Sequence, residues 1–218
     1  MKYTFAVTLI LMISVSCSTD KTKDDMGLFD RLKREKIERT HELMDEELFW
    51  SLIDNSKQSS EDLEDFVENL TTKLKQLTSN DIIGFHLREK KLRFDSYTSE
   101  LWCAGYIMNG GCSDDCFEYF RCWIIAQGKD AYYSSLKNSD WLVNLYSKDV
   151  EEYDFEDFMF IASDVFKQKT KKDIEDYVDY DKFKTYESNY PDFEFTWEED
   201  NEESMKKICP KLMEVAWN

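Results

Sequence analysis

Proline and glycine are scarce in this 218-residue chain, at two and six residues, and histidine occurs only twice. With so little of either, the glycines and prolines that remain mark places where backbone geometry leaves few alternatives. Strand-like alternation of polar and apolar residues is missing, as are repeats and interior low-complexity linkers. Positive charge is also short: 28 Lys and Arg stand against 46 Asp and Glu, a formal net charge of −18. Binding to nucleic acid through phosphate contacts needs clustered cations, so that class of function is excluded, and anionic lipid headgroups are excluded on the same ground. Cations and basic proteins stay eligible as partners. The deficit is uneven, because residues 149–203 hold 20 acids and 6 lysines, a net of −14.

The one long apolar run, Phe5 to Val15, is interrupted by Thr8 and Ser14 and is too short to span a bilayer. It leads into Ser14-Val15-Ser16-Cys17, which resembles the lipobox of bacterial lipoproteins, although Ser14 replaces the usual leucine. The following STDKTKDD, residues 18–25, is similar to the export signal of Bacteroidetes surface lipoproteins. The resemblance implies a signal peptide over 1–16, a diacylated Cys17 and a mature protein held in the cell envelope by that lipid alone. Loss of Lys2 with the signal moves the charge from −18 to −19.

The charged stretch after Cys17 reads as a flexible tether over 17–43, with His41 on its surface. Residues 44–218 are expected to form one all-α domain of several helices, since about 200 residues suffice for a single well-packed core. Asp45-Glu46-Glu47 puts acids on a first helical turn ahead of Leu48, Phe49, Leu52 and Ile53 at helical spacing. Further helices are predicted from Ser59 or Ser60, from Ser79-Asn80, from Ser99 and from Ser113. Shorter ones follow near 129–136 and 139–146, then one over 155–169. A C-terminal helix over 201–215 is kinked or split by Pro210. Residues 173–190, where acids alternate with Tyr and Phe, stay ambiguous.

Residues 101–128 concentrate four of the six glycines, four of the six cysteines and two of the six tryptophans. Asn109-Gly110-Gly111 stops one helix, and Ser113 caps the next, whose first positions, Asp114 and Asp115, suit the helix dipole. On a helical wheel Phe117, Phe120, Trp123 and Ile124 share the core side, while Asp114, Glu118, Arg121 and Ile125 share another face. Ile125 below Arg121 implies that this face is covered, and a covered arginine needs a carboxylate, for which Glu118 is the nearest local candidate. The first reading is an internal ion-pair cluster pinning the glycine turn to the helix start. A ligand site or catalysis at the same place are the alternatives.

Phe49-Trp50, Leu101-Trp102, Asn109-Gly110-Gly111-Cys112-Ser113-Asp114-Asp115, Tyr119-Phe120-Arg121 and Trp123-Ile124-Ile125 together resemble the bacterial domain-of-unknown-function family 4240 over roughly 44–217. The resemblance implies the domain boundary and brings no reaction with it. Cys103, Cys116 and Cys122 depart from the family's pattern, as does an export signal.

Five cysteines besides Cys17 cannot all pair, and Cys103, Cys112, Cys116, Cys122 and Cys209 read as small buried hydrophobes. The Cys112–Cys116 spacing matches neither a zinc ribbon nor a redox CxxC, and no EF-hand spacing surrounds Asp114, Asp115 and Glu118. His86-x-x-Glu89 reverses the order used in di-iron bundles, and Gly110-Gly111 precedes acids where a phosphate loop has a lysine. No metal and no cofactor is therefore expected. The aromatics interleaved with acids from Tyr153 to Trp197 are read mainly as core; if exposed, they would suit a basic partner.

Three functions compete, the blandest being an envelope structural lipoprotein without a dedicated ligand. The favoured one is a non-catalytic acidic module, of immunity type, that neutralises a basic protein in the envelope. The alternative is a hydrolase or metal-assisted enzyme using Asp114, Asp115, Glu118 and Arg121. The site expected in either case comprises Trp102, Asn109, Gly110, Gly111, Cys112, Ser113, Asp114, Asp115, Glu118, Arg121 and Trp123.

Overall fold

A computed structural model of the protein describes residues 36–217. The expected signal peptide, Cys17 and most of the tether lie outside the described residues. The folded body begins at Ile37. Residues 37–43, assigned above to the tether, belong to it: Ile37 and Leu43 pack on the core, and Thr40 forms an isolated parallel bridge with Val178. Thr40 N donates to Tyr177 O at 2.9 Å, and Asp179 N donates to Thr40 O at 2.8 Å. A polar sequence hid this because much of the anchoring is through main-chain hydrogen bonds to residues far along the chain.

The body is all-helical, and the described residues contain no strand. The α-helices are α1 (Glu46–Gln58), α2 (Leu63–Lys75), α3 (Ser79–Asp95), α4 (Ser99–Asn109), α5 (Asp114–Ala126), α6 (Lys129–Lys137), α7 (Phe158–Thr170), α8 (Glu202–Ile208) and α9 (Pro210–Ala216). A 3-10 segment, Ser139–Asn144, follows α6, and two single turns lie at Glu175–Tyr177 and Glu187–Asn189. Side-chain caps fix the starts: Asp45, Asp62, Thr78, Thr98 and Ser113 each accept from a main-chain N–H within the first turn. Pro210 splits the C-terminal helix, and Asp140, buried in the 3-10 segment, accepts from Lys211 N at 2.9 Å and Leu212 N at 3.0 Å. A carboxylate from elsewhere in the chain thus caps α9, whose own first residue has no N–H.

Helix α5 is the axis of the body, packed against α1, α3, α4, α6 and α7. From Phe120 to Ala126 every residue of it is buried, which is why its far end carries no polar face. Gly105 on α4 lets the two helices close: a Cβ there would lie 2.9 Å from Phe120 Cδ1. The aromatics from Tyr153 to Trp197 are mostly interior. Tyr153, Phe155, Phe158, Phe166, Phe183 and Trp197 are buried, and Tyr177, Tyr180, Tyr186 and Phe193 are partly buried. No helix among the described residues is long and apolar enough to cross a membrane.

Candidate functional site

The turn between α4 and α5 is built by its glycines. Gly110 takes left-handed φ/ψ (65°, 28°) as the cap of α4, and its N–H returns to Tyr106 O. Gly111, at φ 137°, lies where a side chain is strained. Ser113 Oγ then accepts from Cys116 N at 3.3 Å to start α5. Asn109 holds the turn from outside, its Oδ1 accepting from Tyr153 N at 2.8 Å. Trp102 Nε1 donates to Cys112 O at 3.0 Å. Trp123 sits away from the turn at the buried end of α5, against Phe120 and Tyr153.

Cys112 and Cys116 correct the reading of all five cysteines as buried hydrophobes, because they form a disulfide with Cα atoms 5.2 Å apart. The tight turn into the cap brings the residue before Ser113 opposite the third residue of α5. Cys103, Cys122 and Cys209 are free and buried. Burial pushes the Cys122 thiol up to about 12. A hydrogen bond with Cys209, with burial, raises Cys103. Neither makes a ready nucleophile.

The buried charges form a network larger than the sequence indicated. Arg121 is 1% exposed. It donates to Phe117 O at 3.2 Å, to Arg93 O at 2.6 Å and to Glu118 Oε2. Arg93, equally buried, donates to Glu89 Oε1, to Glu118 Oε1 and, at 3.0 Å, to Glu187 Oε1. Tyr190 Oη lies 3.2 Å from Glu118 Oε2. Around the Arg121 guanidinium stand the rings of Tyr190, Phe117 and Tyr97, with centroids 4.6, 4.8 and 5.0 Å away. Burial alone lowers the pKa of both arginines. At Arg121 that effect prevails, while at Arg93 the charge of Glu89, with Glu187, outweighs it and the pKa rises. Both remain cationic, since a guanidinium starts far above neutrality.

Asp114 and Asp115 are exposed and make no ion pair with Arg121, so of the four acids and bases expected together only Glu118 and Arg121 meet. Sequence reasoning missed Arg93, and it weighed Glu89 only as a metal ligand and not as an ion-pair partner. The available signal was the spacing of His86, Glu89, Lys90 and Arg93, one polar stripe along α3. That stripe borders a cavity of 310 Å³ closed by Glu175 and Glu187. His86 Nε2 is 3.1 Å from Glu175 Oε1, and Lys90 Nζ is 3.4 Å from it. His86 Nδ1 and Glu89 Oε2 are buried without a partner. No group of three or more His, Cys, Asp or Glu side chains suited to a metal ion occurs among the described residues.

Two further hollows open on the surface. Beside the glycine turn one of 380 Å³ has walls of Trp102, Phe195 and Trp197 and carboxylates from Asp114, Glu198 and Glu199. Between α2 and the segment before α7 runs a groove of 690 Å³. Glu64, Glu68, Asp154, Glu156 and Asp157 line it over Leu63, Val67 and Phe155, and no base among the described residues lines it.

Fold and site define an all-helical domain organised on a glycine turn and a buried arginine–glutamate network. The chain belongs to the family described as Protein of unknown function (DUF4240), which matches residues 44–168. The match ends short of 217, so Glu175, Glu187, Tyr190, Phe195 and Trp197 are supplied from beyond it. Neither a curated protein nor a solved structure matches the chain.

Proposed function

We propose that this protein is a non-catalytic acidic module that binds a basic protein, carried in the bacterial envelope by lipid on Cys17. The observation that carries the reading is the groove between α2 and α7. Five carboxylates with no counter-cation among its lining residues surround an apolar floor, the surface a lysine- and arginine-rich segment would complement. The buried ion network supports it from the other side. Arg93 and Arg121 are enclosed and paired, which suits a scaffold more than reaction chemistry. The Cys112–Cys116 disulfide supports an oxidising compartment, in keeping with export. A protein that neutralises a basic toxin has this format, and that comparison is by analogy.

The test is affinity purification of basic proteins from the same cells and their competitors on the full chain. A parallel arm uses a variant with Glu64→Gln, Glu68→Gln, Glu156→Gln and Asp157→Asn. A basic protein retained by the wild type, released by salt and lost on the variant is the expected result. Recovery of no basic protein, or equal retention by both, overturns the reading.

A further inference from the structure

Resting on that reading, we propose that the hollow beside the glycine turn receives the charged tip of a lysine or arginine side chain from the basic partner. Its volume, 380 Å³, sits at the low end of ligand sites, about 300–1,000 Å³, and suits one inserted side chain. The walls are built before any ligand arrives. Trp102 is pinned by its N–H on Cys112 O, and Trp197 by its N–H on Ser99 O at 2.9 Å. Phe195 meets both edge-on, with centroids 5.2 Å from Trp102 and 5.7 Å from Trp197 and interplanar angles of 72° and 85°. The three rings therefore turn two corners, and Phe195, 51% exposed, forms the outer lip.

Charge selects the occupant. Asp114, Glu198 and Glu199 line the hollow, and no lysine, arginine or histidine does among the described residues. The start of α5 opposes a cation with a dipole equivalent of about half a charge, which three carboxylates outweigh. Aromatic faces add attraction for a cation that an uncharged alkyl group does not receive, while the apolar walls accept its methylene stem. Trp102 and Asp114 lie within the family match, whereas Phe195, Trp197, Glu198 and Glu199 lie beyond it, so the hollow is completed by a part of the chain outside that match.

The experiment titrates the full chain with three Gly/Ser peptides that differ only in one central residue: lysine, arginine or norleucine. The readout is the indole N–H resonances of Trp102 and Trp197 by NMR, assigned with Trp102→Phe and Trp197→Phe. The lysine or arginine peptide is expected to shift both saturably. Norleucine should bind at least tenfold more weakly, and the surface variant Phe195→Ala/Glu198→Gln/Glu199→Gln should weaken the cationic peptides at least tenfold. Equal shifts from norleucine, unchanged binding by the triple variant, or no shift at all each overturn the proposal. The triple variant's other indole signals and its melting temperature report that it is folded. If the peptides fail while a basic protein is still held through the α2–α7 groove, this inference falls and the function stands. If both fail, the function falls too.

Discussion

Arg121 on α5 donates to the main-chain carbonyl of Arg93 on α3, 2.6 Å away. That carbonyl belongs to the last turn of α3, where the helix dipole is negative, and it also accepts from the hydroxyl of the cap residue Ser96 at 3.1 Å. Arg121 therefore acts as a long-range C-cap for α3, while its second terminal nitrogen, Nη2, donates to the Glu118 carboxylate that Arg93 also uses. Two like charges are held together because one carboxylate serves both and each has a further acceptor.

This arrangement makes Glu118 the costliest member to neutralise. Glu118→Gln takes from the buried Arg121 its one carboxylate partner among the described residues and from Arg93 one of three, and breaking a buried ion network in this way costs about 3–5 kcal/mol. For a domain of this size that corresponds to a fall in melting temperature of about 10 °C. Asp115→Asn, one turn earlier and exposed, should move it by less than about 0.5 kcal/mol. Thermal unfolding of the two variants checks the contrast, and equal effects would refute the network's role.

Close packing of α4 on α5 gives the second expectation. An alanine at Gly105 places its methyl 2.9 Å from the buried Phe120 ring, so Gly105→Ala should cost about 1–3 kcal/mol despite alanine's better helix propensity. Phe120→Leu in the same chain should recover part of that loss, a coupling that a double-mutant cycle on denaturant unfolding measures. Purely additive effects would show that the two residues do not collide.

Much of this core was legible in the sequence. The Asn109-Gly110-Gly111 stop, the Ser113 cap and a covered Arg121 paired with Glu118 follow from local rules that involve neighbours within a few residues. What escaped was non-local. Arg93 lies 25 residues from Glu118 and Asp140 lies 71 from Lys211, and nothing in either local pattern announces the partner. Helix α3 also escaped, because His86, Glu89 and Arg93 are buried polar residues, a burial that apolar periodicity does not announce. Asp114 was drawn into the cluster by wheel angle and Asp115 by charge, yet both side chains are exposed while Phe117 of the same turn is buried.

The disulfide should stabilise modestly, since it closes a loop of only a few residues. Chain-entropy arithmetic for so short a loop gives about 2 kcal/mol. Replacing both Cys112 and Cys116 with serine should lower stability by that order without disturbing the rest of the core. In the native protein, thiol reagents should leave Cys103, Cys122 and Cys209 unmodified, because all three are buried. After unfolding without reductant, those three should react and Cys112 and Cys116 should not. Mass spectrometry of the labelled chain distinguishes the patterns, and labelling of Cys112 or Cys116 before reduction would contradict the pairing.

Acid should loosen the segment that closes the α3 cavity. Burial alone would raise the Glu175 carboxyl, but the hydrogen bond and charge of His86, together with Lys90 and Tyr180, pull it down to about 2 from an ordinary 4.5. A carboxylate depressed in the folded state contributes stability that is fully present above about pH 4.5 and is lost as pH falls toward 2. Glu175 is 44% exposed, so solvent screening reduces this contribution to about 1 kcal/mol, or roughly 2–4 °C. Glu175→Gln should thus melt lower than the wild type at about pH 6, and the gap should close as pH drops toward 2. Because acids remote from Glu175 titrate alike in both proteins, the difference between their melting curves reports Glu175 together with the groups it touches. A gap that stays constant, or widens, through that window would mean the His86–Glu175 contact does not hold the segment in place.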